Sequence, residues 1–492
     1  MKTVLAYDFG ASSGRAIAAY VEDGKLVTKE IHRFLNEPVT VNGTFYWDIL
    51  RLFHEIKQGI VKAKKAGFEI ESLAIDTWGV DFGLLDKKGD LLANPVHYRD
   101  KRNGCFEELF DIIPKEELYG KTGIQFMNFN TVFQLYAVKK YDPELLERAD
   151  KLLFIPDLLN YFLTGNMKTE YTIASTGALL DAKTGEWDFS LTDKMGIKRS
   201  LFTEIVKPGT EVGYLRKEIC EELNVKPFKI FTSPSHDTAA AVLSVPTEEK
   251  NFAFLSCGTW SLLGTELDAP LVNEETFSEN FTNEGGAFGT IRLLKNIIGL
   301  WIAQECRRSW QKDGEVSLKE LDEAALASEP LVSFIAPSDS AFLAPGKMPE
   351  RIEAFLEKTG QSVPKTKGAM SRCISESLAL DYNRVILLLE KLTKKQYNSI
   401  NIVGGGIKDR LLMQFTADAT GKKVIAGPAE ATASGNIVMQ LIALGEIKDR
   451  AEARRIIRNS GGITEYLPTD TEKWEEAKKR FEKMIKENCN NG

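Results

Sequence analysis

The sequence predicts a mixed α/β protein made of two similar lobes, and three observations carry that expectation. Short apolar runs bounded by small-residue turns alternate with apolar positions at helical spacing. A strand, small-residue turn, strand unit at Leu5–Ala18 recurs half a chain later at Phe252–Leu263. The length of 492 residues exceeds what a single core serves, since domains run to about 100–200 residues.

Taken in order, Val4-Leu5-Ala6-Tyr7 reads as a buried strand, Ala11-Ser12-Ser13-Gly14 as a tight turn, and Arg15–Tyr20 as the returning strand. Glu22-Asp23-Gly24 turns the chain into a third strand at Leu26–Ile31. Between Trp47 and Ala66 the residues Ile49, Leu50, Phe53, Ile56, Ile60 and Val61 recur at helical spacing. Leu73-Ala74-Ile75 is again a strand, running into Asp76-Thr77-Trp78-Gly79. Phe228–Thr232 reads as a strand that leads to a small-residue helix beginning near Asp237. In the second half, Phe252–Ser256, Trp260–Leu263 and Asn401–Val403 are strands, the last followed by Gly404-Gly405-Gly406. Trp474–Lys486 reads as a charged, solvated helix. The lobes divide near Val245-Pro246-Thr247, before the polar run Glu248-Glu249-Lys250. Domains of 1–245 and 246–492 follow.

Composition removes several classes. A formal charge of −7 with 43% apolar residues belongs to neither a disordered chain nor a nucleic-acid binder. The six cysteines include no C-x-x-C pair, and the four histidines no H-E-x-x-H. A disulfide framework and a zinc hydrolase are therefore poor fits. No run of about 18 apolar residues occurs, and the N-terminus is too short in apolar length for a signal peptide. The expected address is the cytoplasm, with no membrane partner and a monomer or homodimer as the state.

Two segments carry candidate chemistry. In Asp8-Phe9-Gly10-Ala11-Ser12-Ser13-Gly14-Arg15, small residues let backbone N–H groups approach phosphate oxygens, and Ser12 and Ser13 add hydroxyls. Arg15 brings a cation and Asp8 a hard oxygen suited to hydrated Mg²⁺. An ordinary polar hairpin accounts for the same residues equally well. The turn is not a Walker-A loop, nor a Rossmann fingerprint, because it leads into a strand. Those absences leave an actin-like (ribonuclease H-like) ATPase arrangement, in which turns from two lobes clamp a triphosphate in a deep interdomain cleft. Gly258-Thr259 is the matching second turn. The other segment is Ser235-His236-Asp237-Thr238-Ala239. Asp237 can accept a proton from a substrate hydroxyl, with His236 and Thr238 as hydrogen-bonding neighbours. For an aspartate at a helix start taken alone, capping is the commoner role.

With these residues in view the chain resembles the FGGY carbohydrate kinases, from about Val4 to Asn436. The matching strings are D-F-G-A-S-S-G-R at Asp8–Arg15, D-T-W-G-V-D-F at Asp76–Phe82, G-I-Q-F at Gly123–Phe126 and N-T-V-F-Q-L at Asn130–Leu135. They continue with S-H-D-T-A at Ser235–Ala239, C-G-T-W-S-L at Cys257–Leu262, N-E-G-G at Asn283–Gly286, K-N-I-I-G-L-W at Lys295–Trp301 and G-G-G at Gly404–Gly406. The hairpin and glycine motifs indicate the superfamily; D-T-W-G-V-D-F and S-H-D-T-A point to its branch acting on L-rhamnulose.

The resemblance implies a kinase using ATP and Mg²⁺ to phosphorylate L-rhamnulose at its 1-hydroxyl. By the same resemblance Ala11, Ser12, Ser13, Gly14 and Arg15 would hold the phosphates, with Thr259 opposite and Asp8 orienting the metal. Asp237 would be the general base. Gly79, His236, Thr238 and Asn296 would line the sugar pocket, and Gln304 and Gly405 would meet the nucleotide. Asn296 and Gln304, eight residues apart, are expected on one face of a helix. Trp78 and Trp260 fit the core better than a ligand contact. Kinases of L-fuculose or L-xylulose are the near alternatives; an actin-like ATPase or a sugar-binding regulator is the distant one.

Overall fold

The N-terminal apolar run forms a fully buried strand, β1 (Thr3–Phe9), in the computed structural model, which describes residues 2–311, 314 and 317–489. It pairs antiparallel with β2 (Ser13–Glu22), which pairs in turn with β3 (Lys25–Leu35). On its other edge β1 runs parallel to β4 (Ile70–Thr77), with Asp8 opposite Asp76. Then come β6 (Lys229–His236), parallel to β4, and the antiparallel edge strand β5 (Glu211–Tyr214). The six-stranded order is β5-β6-β4-β1-β2-β3.

Strand alternation sorts the two faces of this sheet. Leu5, Tyr7, Leu73 and Ile75 pack in one buried cluster with Leu52, Ile56 and Ile60 of the helix Ile49–Lys65. Each such side chain contributes roughly 1.5–3 kcal/mol by leaving water. Asp48 caps that helix, accepting from Arg51 N at 3.1 Å. Leu50, counted in its apolar spacing, is 60% exposed, so the stripe is narrower than the sequence suggested. Val4 and Ala6 point the other way, against Ile437, Val438 and Leu441 of the helix Ala431–Ala443. By the same alternation Asp8 and Asp76 lie on that second face.

Two units group the chain. The first is Met1–Glu248, Glu266–Leu293 and Ala431–Gly461; the second is Glu249–Thr265, Leu294–Glu430 and Gly462–Gly492. Compared with a single cut at 245/246, the segments 266–293 and 431–461 lie with the first half. The helix Ala431–Ala443 does so because it covers the sheet, with Gln440 Nε2 donating to Leu5 O. Residues near 281 do so through Tyr119 Oη, which donates to Phe281 O at 2.8 Å.

The second unit repeats the local scheme. β7 (Ala253–Cys257) and β8 (Trp260–Leu267) form a hairpin, with Cys257 opposite Ser261. β7 then runs parallel to β9 (Ser399–Val403), which is parallel to β10 (Lys423–Ala426); β11 (Thr464–Tyr466) pairs antiparallel beyond. The hairpin and adjacent parallel strand thus occur in both units. The C-terminal helix spans Thr471–Cys489. It is not solvated all round: Trp474, Ala477, Phe481 and Met484 are buried, at the three- and four-residue spacing of one face. The alternating Lys and Glu between them concealed that stripe.

Among the described residues no helix is long and apolar enough to cross a membrane. Cys105, Cys220, Cys257, Cys306 and Cys373 are free thiols.

Candidate active site

The first turn is held from beneath. Gly10 N donates to Ser13 O (2.9 Å), Asn36 N to Ser12 O (3.1 Å), and Asn36 Nδ2 to Gly10 O (3.0 Å). The amides of Ala11 and Ser12 find no partner among the described residues, and Ser12 is exposed. A hydrogen-bonded turn with unpartnered N–H groups is what an anion needs. Gly14 has a packing reason as well: a Cβ there would stand 2.3 Å from the Phe34 ring.

Asp8 and Arg15 face each other across β1 and β2. Arg15 donates from Nη2 (2.6 Å) and Nε (3.0 Å), both to Asp8 Oδ2. The cation expected on the phosphates therefore also holds the carboxylate expected to orient the metal, through its Oδ2. Beside it Asp76 is fully buried. Its Oδ2 accepts from Asn436 Nδ2 at 2.6 Å, while Oδ1 has no partner among the described residues. Burial first, and then the neighbouring charge of Asp8, push the Asp76 carboxyl well above the ordinary range; Asp237 adds to the push and Asn436 opposes it.

β6 ends at His236 and the helix Asp237–Leu243 begins at once. Asp237 does not cap it: the N-cap is His236, with no side-chain cap bond. Instead Thr238 Oγ1 donates to Asp237 Oδ1 at 3.1 Å, and His236 Nε2 lies 3.3 Å from the same oxygen. No hydrogen bond reaches Oδ2 among the described residues, and 34% of the side chain is open. The surroundings raise the Asp237 carboxyl, chiefly by desolvation, with His236 opposing and Asp8 adding to the rise. A carboxylate with one oxygen pinned and the other open, and its affinity for a proton raised, is suited to act as a base.

Two layers hold His236. Its backbone N donates to Thr172 Oγ1 (3.2 Å), which donates to Glu170 Oε2 (2.6 Å); Ser235 N donates to the same oxygen (3.0 Å). On the ring side, Nδ1 lies 3.0 Å from Arg292 Nη2 and 3.4 Å from Glu284 Oε2. Arg292 is wholly buried and pairs with Glu284 at 3.1 Å. Burial alone would raise the Glu284 carboxyl, but Arg292, with His236, holds it below the ordinary value.

Gly79 is intermediate in exposure. A Cβ there would meet Thr176 at 3.1 Å, so packing already accounts for a small residue. Trp78 belongs to the core, as its bulk suggested. It packs tilted against Trp47, ring centroids 4.0 Å apart, and donates to Asp81 Oδ2 at 2.9 Å, an atom that Trp47 Nε1 reaches at 2.6 Å.

In the second unit, the Gly258-Thr259 turn is tied to the start of the helix Trp301–Trp310. Leu300 N donates to Gly258 O (3.0 Å) and Trp301 N to Thr259 O (3.2 Å). Gln304 stands exposed on that helix. Asn296 does not share it, because it lies in the strand Ile291–Ile298. The common helical face expected for the pair is thus corrected: Gly299 breaks the segment, and a Cβ there would stand 2.5 Å from Ser261 Oγ. The three glycines divide by role. Gly404 and Gly406 pack on Cys257, where added Cβ atoms would approach to 2.9 and 2.3 Å. A Cβ on Gly405 would meet nothing within 4 Å, so this is the position with room for a ligand.

Asp76, Glu170, Glu284, Arg292 and Asn436 were given no role by sequence reasoning. Asp76 and Glu284 stood inside the quoted D-T-W-G-V-D-F and N-E-G-G strings, and charged residues in otherwise apolar or glycine-rich surroundings were the available signal. Nothing local marked Glu170 or Arg292.

The doubled α/β scheme, with its hairpin turn and the aspartate at the helix start, fits a phosphoryl-transfer enzyme, and the comparisons show the family. Residues 3–244 match the N-terminal domain and 253–444 the C-terminal domain of the FGGY family of carbohydrate kinases; the chain belongs to that family. It is 44% identical to a rhamnulokinase of Bacteroides thetaiotaomicron over 98% of this chain and 99% of that protein. It is 43% identical to a rhamnulokinase of Oceanobacillus iheyensis, over 95% and 99% of the two. The fold matches a ligand-bound xylulose kinase from Lactobacillus acidophilus with a TM-score of 0.82 at 18% identity, covering 100% of this chain and 97% of that one. The protein is thus an ATP-dependent carbohydrate kinase, which removes the regulator and simple ATPase alternatives.

Proposed function

We propose that the protein transfers the γ-phosphoryl group of ATP to the 1-hydroxyl of L-rhamnulose, with Asp237 as general base. The observation that carries the chemistry is the asymmetry of that carboxylate: Oδ1 accepts from Thr238 Oγ1 and lies 3.3 Å from His236 Nε2, while no hydrogen bond reaches Oδ2 among the described residues. The relatives' name, at 43–44% identity over nearly the whole chain, supports the sugar. In the reaction the C1 hydroxyl proton passes to Asp237 Oδ2. The C1 oxygen bonds to the γ-phosphorus and the bond to the ADP oxygen breaks. General-base assistance contributes about 10²–10⁴-fold; orientation and charge neutralisation supply the rest.

Roles follow the residues. In the first domain, 1–245, Ala11 to Arg15 hold phosphate oxygens, and Gly79, His236 and Thr238 line the sugar. In the second, 246–492, Thr259, Gln304 and Gly405 meet the nucleotide and Asn296 the sugar. The donor set fits Mg²⁺: Asp76 Oδ1 is a buried hard oxygen without a partner, next in register to Asp8. Mg²⁺ held there through Asp8 would neutralise phosphate charge. An ATP-consuming reaction also suits the cytoplasmic address expected above.

The test is ADP release, by a coupled assay, with L-rhamnulose, L-fuculose and L-xylulose at equal concentration, and ³¹P NMR of the product. L-Rhamnulose is expected to lead in kcat/KM and to carry the phosphate on C1. A flat profile, or phosphate on another carbon, would overturn the assignment.

A further inference from the structure

We propose that Arg292 is a positioning residue that holds the His236 imidazole in its Nε2–H tautomer, so that the ring presents a donor beside the Asp237 carboxylate. An arginine has only donors, and Arg292 Nη2 lies 3.0 Å from Nδ1 of His236. In the uncharged imidazole that nitrogen must then accept, which leaves the hydrogen on Nε2, 3.3 Å from Asp237 Oδ1. The guanidinium cannot swing away. Its Nε donates to Gly285 O at 2.9 Å, Nη2 pairs with Glu284 Oε2 at 3.1 Å, and the side chain is wholly buried.

The competing arrangement is also present. Glu284 Oε2 is 3.4 Å from Nδ1 and would accept a hydrogen from it if Arg292 were absent. Arg292 and Glu284 thus compete for one ring nitrogen, and the shorter contact belongs to the arginine. A buried ion pair of this kind adds little stability over an apolar replacement, and here Arg292 Nη1 is left without a partner. What the pair supplies is orientation. The consequence for the acceptor site, resting on His236 lining it as proposed above, is that His236 offers a hydrogen to a sugar oxygen or to Asp237 Oδ1. Asp237 Oδ2 then stays open for the reacting hydroxyl.

The test uses the full chain labelled with ¹⁵N-histidine, whose four histidines give a readable long-range ¹H–¹⁵N spectrum above the titration range. His236→Gln assigns the signals. In the unsubstituted protein, His236 should show an unprotonated Nδ1 and a protonated Nε2. Arg292→Met should reverse that pattern, with Nδ1–H donating to Glu284, and lower kcat for the ketose at least tenfold while KM for ATP stays within twofold. Arg292→Lys, which restores a donor, should return the Nε2–H pattern and part of kcat. A protonated Nδ1 in the unsubstituted protein overturns the proposal even if no variant folds, as does an Arg292→Met protein that keeps Nε2–H. The spectrum needs no sugar, so a wrong acceptor would show in the ketose assay while leaving the tautomer reading intact.

Discussion

Gly435 offers a quantitative test of how the fold places Asp237, the proposed base. It lies in the helix Ala431–Ala443, against the helix Asp237–Leu243 that begins with that aspartate. A Cβ at Gly435 would stand 1.8 Å from Ala240 O, 2.5 Å from Ala240 C and 2.9 Å from its Cα. Ordinary contact begins near 3.4 Å, so Gly435→Ala must part the helices by about 1.6 Å at this point. The obstacle is buried backbone, which has no rotamer to yield. Overpacking costs about 1–3 kcal/mol and occasionally more; the depth of this clash sets the expectation at about 3 kcal/mol. Ala240 is one helical turn from Asp237, so the displacement reaches the base, and an error of about 1 Å in a catalytic group costs on the order of 10²-fold. Urea unfolding followed by tryptophan fluorescence gives the first quantity and the coupled ADP assay the second. Unsubstituted values of both the midpoint and kcat would refute the argument.

Other expectations follow from the same geometry. Gly405→Ala has open space around its new methyl, so its unfolding midpoint should stay unchanged while KM for ATP rises several-fold, as an ATP titration would show. Glu284→Gln leaves Arg292 buried without its carboxylate and should cost about 3–5 kcal/mol at pH 7. Because the Glu284 carboxyl is held below its unfolded value, its contribution is present above the unfolded pKa and is lost as pH falls through the folded one. Urea midpoints taken from pH 7 downward should therefore converge for the two proteins at low pH. As the proposed base Asp237 must be the anion, and its carboxyl is raised, so kcat/KM should fall on the acid side at a pH above the usual aspartate range. Asp8→Asn removes one of the charges that raise it, and the acid limb of the residual activity should move to lower pH.

Much of this architecture was legible because local pattern and tertiary role coincide. The runs Val4–Tyr7, Leu73–Ile75 and Ala253–Leu255 lie buried on both faces within β1, β4 and β7, so apolarity alone marks them. Asp237 was placed at its helix start by the small residues that follow it. The errors arose where local spacing carries no information about partners. Eight residues separate Asn296 from Gln304, but the intervening Gly299 packs on Ser261 and on the Gly258 carbonyl, where no side chain fits, and strand gives way to helix there. The C-terminal helix hid four buried residues among alternating charges. Arg292 and Glu170 matter through contacts 56 and 65 positions away, with the His236 ring and the backbone N–H of Ser235, a relation that no window along the chain contains.

The central claim is that Asp237 takes the proton from the sugar, and one comparison tests it most directly. Asp237→Asn keeps the shape of the side chain and removes its basicity. With L-rhamnulose and saturating ATP, the account predicts that kcat falls by about 10²–10⁴-fold while the dissociation constant for ATP, measured by calorimetry, stays the same. A variant that binds ATP normally and turns over L-rhamnulose within tenfold of the unsubstituted rate would contradict it.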